Sequence, residues 1–209
     1  MGVSVRIAVL CSGGGSNLQA LLDAIDAGRV EGEVVLVLSN RSGAFALERA
    51  RARGIPAVFV SKKQAGSDAA YNDAVLAELR AAGADLVVLA GYLPMVGAGI
   101  VRAYEGRMLN VHPSLIPAFC GKGMYGERVH EAVLAYGAKV TGATVHFVDE
   151  QADHGPIVMQ RAVPVEDGDD VRSLAARVLA AEHELLPRCV ALFCAQKLRV
   201  DRRRVSVIQ

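Results

Sequence analysis

Tryptophan is absent from this 209-residue chain, and aromatic residues make up only 5% of it. A core so short of large rings is assembled from smaller side chains. With 52% of the residues hydrophobic, Ala, Val and Leu supply it, as buried parallel strands and their covering helices require. Net charge is nearly missing as well, since 23 Lys and Arg face 22 Asp and Glu and leave +1. That balance argues against nucleic acid or a membrane surface as the principal partner. The run Arg202-Arg203-Arg204 is short and reads as a solvated turn. The four cysteines, at 11, 120, 189 and 194, include no C-x-x-C pair, so neither a zinc knuckle nor a redox pair is indicated. No stretch approaches the ~20 apolar residues that span a bilayer. The first apolar run, Val5 to Cys11, leads into a glycine loop and not a cleavage site. Repeats, low-complexity segments and linkers are lacking too. The chain reads as one cytoplasmic domain with reduced thiols over residues 1–209.

Apolar β-branched runs alternating with helical spacing occupy the first half: Val5 to Cys11, Glu33 to Ser39, Ala57 to Val60 and Asp85 to Ala90 as strands. Between them lie helices at Leu18 to Ile25, Ala44 to Arg53 and Ser67 to Ala82. This alternation predicts an α/β fold with a doubly wound, Rossmann-like, mostly parallel sheet. Further on, Val140 to Val148 and Ile157 to Val163 read as antiparallel strands in the C-terminal half. Asp169 to Ala195 is a long helical stretch that Pro187 should kink or split, and a terminal hairpin follows. Glu127 to Tyr136 is a helix with His130 on a surface turn. Residues 1–110 then form a phosphate-binding half, and 111–209 hold the catalytic loop, antiparallel strands, long helix and hairpin.

Three stretches carry candidate chemistry. Strand, Ser12-Gly13-Gly14-Gly15-Ser16-Asn17, then helix is the arrangement that aims backbone N–H groups at an anion. The loop lacks the lysine of a Walker A motif, Leu18 stands where a dinucleotide loop has its third glycine, and the second strand ends in Asn40 and not an acid. One phosphate on Gly15, Ser16 and Asn17 fits better than a pyrophosphate; a tight turn built of small residues is the alternative. Gly91-Tyr92-Leu93-Pro94-Met95-Val96 follows the fourth strand and is apolar yet loop-like. It suits either the lining of a slot for a flat, greasy ligand or the start of a packed helix.

The third stretch, Leu109 to Pro117, places Asn110 and His112 two residues apart on a strand, so both side chains leave one face. Pro113 ends ladder pairing. An amide and an imidazole at a strand's carboxyl end suit a reaction through a tetrahedral oxyanion. A carboxylate such as Asp153 beside His112 would favour the charged ring. Asp153 lies 41 residues beyond His112, and pattern alone does not prefer it over Asp149 or Glu150. A strand-end capping pair is the plainer reading of Asn110 and His112. His146 alternates with apolar residues and reads as half-buried structure, and nothing in its spacing from His112 requires a metal.

The chain resembles the phosphoribosylglycinamide formyltransferases (glycinamide ribonucleotide transformylases), a folate-dependent formyltransferase family, over nearly its whole length. The resemblance rests on C-S-G-G-G-S-N-L-Q-A from Cys11, V-L-S-N-R from Val37, A-G-Y-L-P-M-V from Ala90 and A-E-H-E-L-L-P from Ala181. Its most specific parts are L-N-V-H-P-S-L-I-P-A-F from Leu109 and T-V-H-F-V-D-E-Q-A-D-H-G-P-I-V from Thr144. It implies formyl transfer from 10-formyltetrahydrofolate to the glycyl amine of glycinamide ribonucleotide in purine biosynthesis, with no metal, by a monomer or homodimer acting on small molecules. It assigns catalysis to Asn110, His112 and Asp153, and phosphate binding to Gly15, Ser16 and Asn17. It also assigns the ribosyl-glycinamide to Glu182 and folate to Leu93, Pro94, Met95, Val96 and Val148. Pro94 and Asp68 stand where arginines are common in that family, and His154 where glycine is common. A formyltetrahydrofolate hydrolase would share the Asn, His and Asp. A non-catalytic nucleotide-binding module would use Gly13 to Asn17 alone.

Overall fold

The structure, a computed structural model, describes residues 4–208 and divides into two compact units, Met1–Leu109 and Asn110–Gln209. In the first unit the apolar runs become β1 (Val5–Cys11), β2 (Gly32–Ser39), β3 (Ala57–Phe59) and β4 (Leu86–Leu89). Helices α1 (Ser16–Asp26), α2 (Phe45–Ala52), α3 (Lys62–Ala65) and α4 (Asp68–Ala81) connect them, and α5 (Ala98–Ala103) follows β4. The strands lie in the order β3-β2-β1-β4 with every pairing parallel, the order of a doubly wound sheet. Ile7 to Cys11 of β1 are fully buried, as a central parallel strand must be. Leu18, Leu21 and Leu22 give α1 a buried stripe at helical spacing. The short α3 has no apolar face to announce it; Ser61 Oγ starts it by accepting from Gln64 N at 3.1 Å.

In the second unit β5 (Met108–His112) enters at Asn110 and is followed by α6 (Glu127–Tyr136), β6 (Val140–Phe147) and β7 (Ile157–Pro164). Then come α7 (Val171–Cys194), β8 (Leu198–Asp201) and β9 (Arg204–Val207). β6 and β7 pair antiparallel, as do β8 and β9, and β9 joins β7 through Ile157 and Arg204. The predicted α/β class and C-terminal antiparallel strands are both found.

One local expectation is narrowed and one corrected. Of the two outcomes expected at Pro187, the split does not occur: α7 is one helix that runs through it. One lost N–H bond is outweighed there by burial of Leu185, Leu186, Pro187, Cys189 and Val190. His130 is not on the surface but buried with Val129 and Val133 on the inner face of α6.

Burial also sorts the thiols. Cys11 and Cys189 are buried, and burial pushes both up to about 12, whereas Cys120 and Cys194 are partly exposed. A neutral disulfide reagent is expected to modify Cys120 and Cys194 in the native protein and to reach the other two only after unfolding. Mass spectrometry of the labelled peptides reads this directly, and fast native labelling of Cys11 would contradict it.

Candidate active site

The glycine loop of the first unit is held from α2. Ala46 N donates to Gly13 O at 3.1 Å and Arg49 Nε to Gly14 O at 2.8 Å. With those carbonyls drawn toward α2, the trans peptides turn the N–H groups of Gly14 and Gly15 the other way. Gly15 has φ +69°, and a Cβ there would lie 2.8 Å from Ala46 Cβ, so only glycine fits. No side chain caps α1, whose N-terminus begins at Ser16 and Asn17, leaving an electropositive helix end. At the ends of β1 and β2, Ser12 Oγ donates to Asn40 Oδ1 at 2.6 Å and accepts from Leu93 N at 2.9 Å. Nothing in the sequence marks Arg49 as a partner of the glycine loop, or shows that Ser12 and Asn40 meet.

Leu93 to Val96 is irregular, and helix begins only at Ala98. Leu93 is 41% and Met95 62% exposed, with Pro94 and Val96 half-buried. Leu93 and Met95 thus leave apolar surface of this loop open to water. Behind it the Tyr71 and Tyr92 hydroxyls bond to each other.

In the second unit the three predicted catalytic side chains converge. Asn110 Nδ2 donates to Asp153 Oδ1 at 3.3 Å, and His112 Nδ1 lies 3.6 Å from Asp153 Oδ2. Gly121 N donates to that same Oδ2 at 2.8 Å. The shared face of β5 is what lets Asn110 and His112 address one carboxylate. His112 Nε2 donates to Phe119 O at 3.0 Å.

His146 belongs to the cluster too, beyond the structural part expected of it. It is 2% exposed, and its Nδ1 donates to Phe147 O at 2.7 Å. That fixes the tautomer, so Nε2 accepts from Asn110 Nδ2 at 3.1 Å. Although His112, His146 and Asp153 meet, no three His, Cys, Asp or Glu side chains among the described residues are arranged to hold a metal ion.

Two buried arrangements position this cluster. Thr144 Oγ1 donates to Ser114 O at 2.6 Å and accepts from Ile116 N at 3.1 Å. Gln160 Nε2 donates to Ile116 O at 2.9 Å, so the segment after His112 is tied down on both sides. Val148, half-buried, opens the loop that ends at Gly155. There Phe147 N donates to Pro156 O at 2.9 Å, and a Cβ on Gly155 would lie 1.9 Å from Phe147 O. Glu182 is buried on α7, which packs on β6 and β7.

Burial pushes His112 below its ordinary 6.5, although Asp153 and the Phe119 carbonyl pull the other way. Asp153 favours the charged ring, as expected, but burial outweighs it and leaves the neutral ring favoured near pH 7. The ring is 4% exposed and the carboxylate 3.6 Å away, so desolvation wins. Burial also lowers His130 and His183. For Asp153, burial raises the carboxyl, but His146, His112 and the Gly121 N–H outweigh it and hold it below 3.8.

These shifts set how stability varies with pH. Below about 6.5 the unfolded chain takes up protons that the three folded histidines refuse, so stability is lost as pH falls through that value. The share from Asp153 persists to lower pH and goes as pH drops through its folded value. The melting temperature is expected to be highest above about pH 7.5 and to fall steadily toward pH 5. A scanning fluorimetry series in which acid raised Tm would contradict this.

Residues 5–190 match the family described as Formyl transferase. The chain is 42% identical over 205 residues to the chloroplastic phosphoribosylglycinamide formyltransferase of Arabidopsis thaliana, covering 98% of this chain and 70% of that one. It is 44% identical over 189 residues to the trifunctional purine biosynthetic protein adenosine-3 of Drosophila melanogaster, covering 90% of this chain but spanning only 14% of that protein's length. The crystal structure of glycinamide ribonucleotide transformylase 1 from Symbiobacterium toebii superposes with a TM-score of 0.95 at 44% identity, covering 100% of this chain and 96% of that one. The chain belongs to the formyl transferase family.

Proposed function

We propose that this protein transfers the formyl group of 10-formyltetrahydrofolate to the glycyl amine of glycinamide ribonucleotide, a step of purine biosynthesis. The observation that supports this reading best is the single carboxylate of Asp153, which lies 3.3 Å from the Asn110 amide and 3.6 Å from the His112 ring. The neutral amine attacks the formyl carbon, and the carbonyl oxygen becomes an oxyanion. Asn110 donates to that oxygen, giving up its longer bond at 3.3 Å. His112, neutral at rest, takes up the proton lost by the amine. The imidazolium so formed lies beside Asp153 and the oxyanion, which together stabilise it. It then returns the proton to the departing folate nitrogen.

Gly15, Ser16 and Asn17 bind the substrate phosphate, and Glu182 the ribosyl-glycinamide. Leu93, Pro94, Met95, Val96 and Val148 contact folate. The steps call on no metal, and both units serve this one activity. The four cysteines are not joined in disulfides, which suits a cytoplasmic setting. No helix of the described residues is long and apolar enough to cross a membrane. Action on small molecules, as monomer or homodimer, completes the reading.

Incubating the protein with glycinamide ribonucleotide and formyl donor, and following absorbance of the deformylated folate, tests it. A rise that depends on the amine is expected. An amine-independent rise would mark a hydrolase, and no rise a binding module; either overturns the proposal.

A further inference from the structure

We propose that Arg203, in the turn between β8 and β9, is a positioning residue for Asp153 and that the terminal hairpin is thereby part of the catalytic apparatus. This rests on the reading of Asp153 as catalytic given above. Asp153 is held with φ +50°, a conformation that side-chain-bearing residues seldom adopt, so its neighbours must keep it there. The next residue, His154, is gripped twice by one guanidinium. Arg203 Nη2 donates to His154 O at 2.7 Å, and Nη1 lies 3.0 Å from His154 Nε2.

The hydrogen positions in this chain of contacts follow from the partners. Asp149 Oδ2 can only accept, so His154 Nδ1 carries the hydrogen of their 2.7 Å bond. Arg203 Nη1 lies 3.0 Å from Nε2 and 3.4 Å from Nδ1, so the guanidinium meets the imidazole ring across both nitrogens. Asp149 Oδ1 in turn accepts from Gln151 N at 2.9 Å. The loop is thus braced at its start by Asp149, at its end by the approach of Gly155 to Phe147 O, and from outside by Arg203. Between these fixed points the Asp153 carboxylate meets Asn110, His112 and Gly121 N.

The hairpin is anchored where this matters. Arg204 pairs with Ile157, the first residue of β7 after the loop, so the turn carrying Arg203 is fixed beside His154. A planar fork that donates to a carbonyl and at the same time lies against the imidazole ring is a task for arginine; lysine, a point charge, can meet only one of them.

Single-turnover and steady-state kinetics of Arg203→Ala, Arg203→Lys, Asp153→Asn and the Arg203→Ala/Asp153→Asn double variant test the proposal. Arg203→Ala is expected to lower kcat on the order of ten-fold, with both KM values unchanged, since small misplacements of a catalytic group are costly. Arg203→Lys should recover part of that loss. In the Asp153→Asn background, Arg203→Ala should add nothing to the residual rate, because its effect passes through the carboxylate. An unchanged kcat in Arg203→Ala, a rise confined to KM, or losses that multiply in the double variant would each overturn it. Wild-type turnover by Asp153→Asn would instead overturn the catalytic reading on which it rests.

Discussion

Asp153→Asn is expected to lower kcat by about 10²–10³, equivalent to ~3 kcal/mol of barrier, while the protein stays folded. The carboxylate does three things that an amide of the same shape cannot do together. It accepts from Gly121 N and from Asn110 Nδ2, and its charge offsets the imidazolium formed on His112. An amide keeps one accepting oxygen and turns an NH2 group toward a donor. It also removes the negative charge that makes proton uptake by a buried ring affordable. Asn110→Ala should bring a loss of the same order, since it removes the neutral donor to the oxyanion. Steady-state turnover with a melting curve for each variant separates lost chemistry from lost fold. A wild-type kcat for Asp153→Asn would contradict the role given to the carboxylate.

The second large effect is expected at Gly155, where the consequence begins with the backbone. A methyl group there would stand 1.9 Å from Phe147 O and 3.4 Å from Asp149 N. Neither atom belongs to a flexible side chain, so the loop must open or the Phe147–Pro156 pairing must break. Gly155→Ala is expected to cost about 3 kcal/mol or more, a fall in Tm of roughly 6–12 °C for a chain of this size. Turnover should fall with it, since Asp153 is carried on the displaced turn. Gly28→Ala is the comparison. Its φ is +67° but nothing lies within 4 Å of a Cβ there, so only the backbone penalty of about 1 kcal/mol is expected. Thermal denaturation of the two variants settles the matter; equal melting temperatures would contradict the close-approach account.

What could be read beforehand, and what could not, divides along physical lines. Parallel strands such as Ile7 to Cys11 are apolar along their whole length because both faces are buried, and that is visible in one dimension. Asn110 and His112 were legible as a pair because a strand repeats every two residues. Asp153 was not separable from Asp149 and Glu150, because the choice depends on how the loop between β6 and β7 returns. That return is set by Gly155 against Phe147 O, a contact no local pattern records.

His146 looked like core because burial and hydrogen bonding to Asn110 require the same alternation. His130 was misplaced for the opposite reason. Its neighbours Val129 and Val133 define the inner face of α6, and the polar side chain on that face disguised it. Pro187 does not split α7, since the packing of the helix exceeds one lost hydrogen bond. The charge state of His112 could not be read at all. It depends on how much water reaches the ring, which is a property of the folded state.

Turnover of His112→Ala at saturating glycinamide ribonucleotide and 10-formyltetrahydrofolate tests the central claim most directly. With the ring gone, the proton has no acceptor and the oxyanion keeps only Asn110, and kcat is predicted to fall by about 10²–10³ in a variant whose melting curve shows it still folded. A variant that turned over at the wild-type rate would contradict the account.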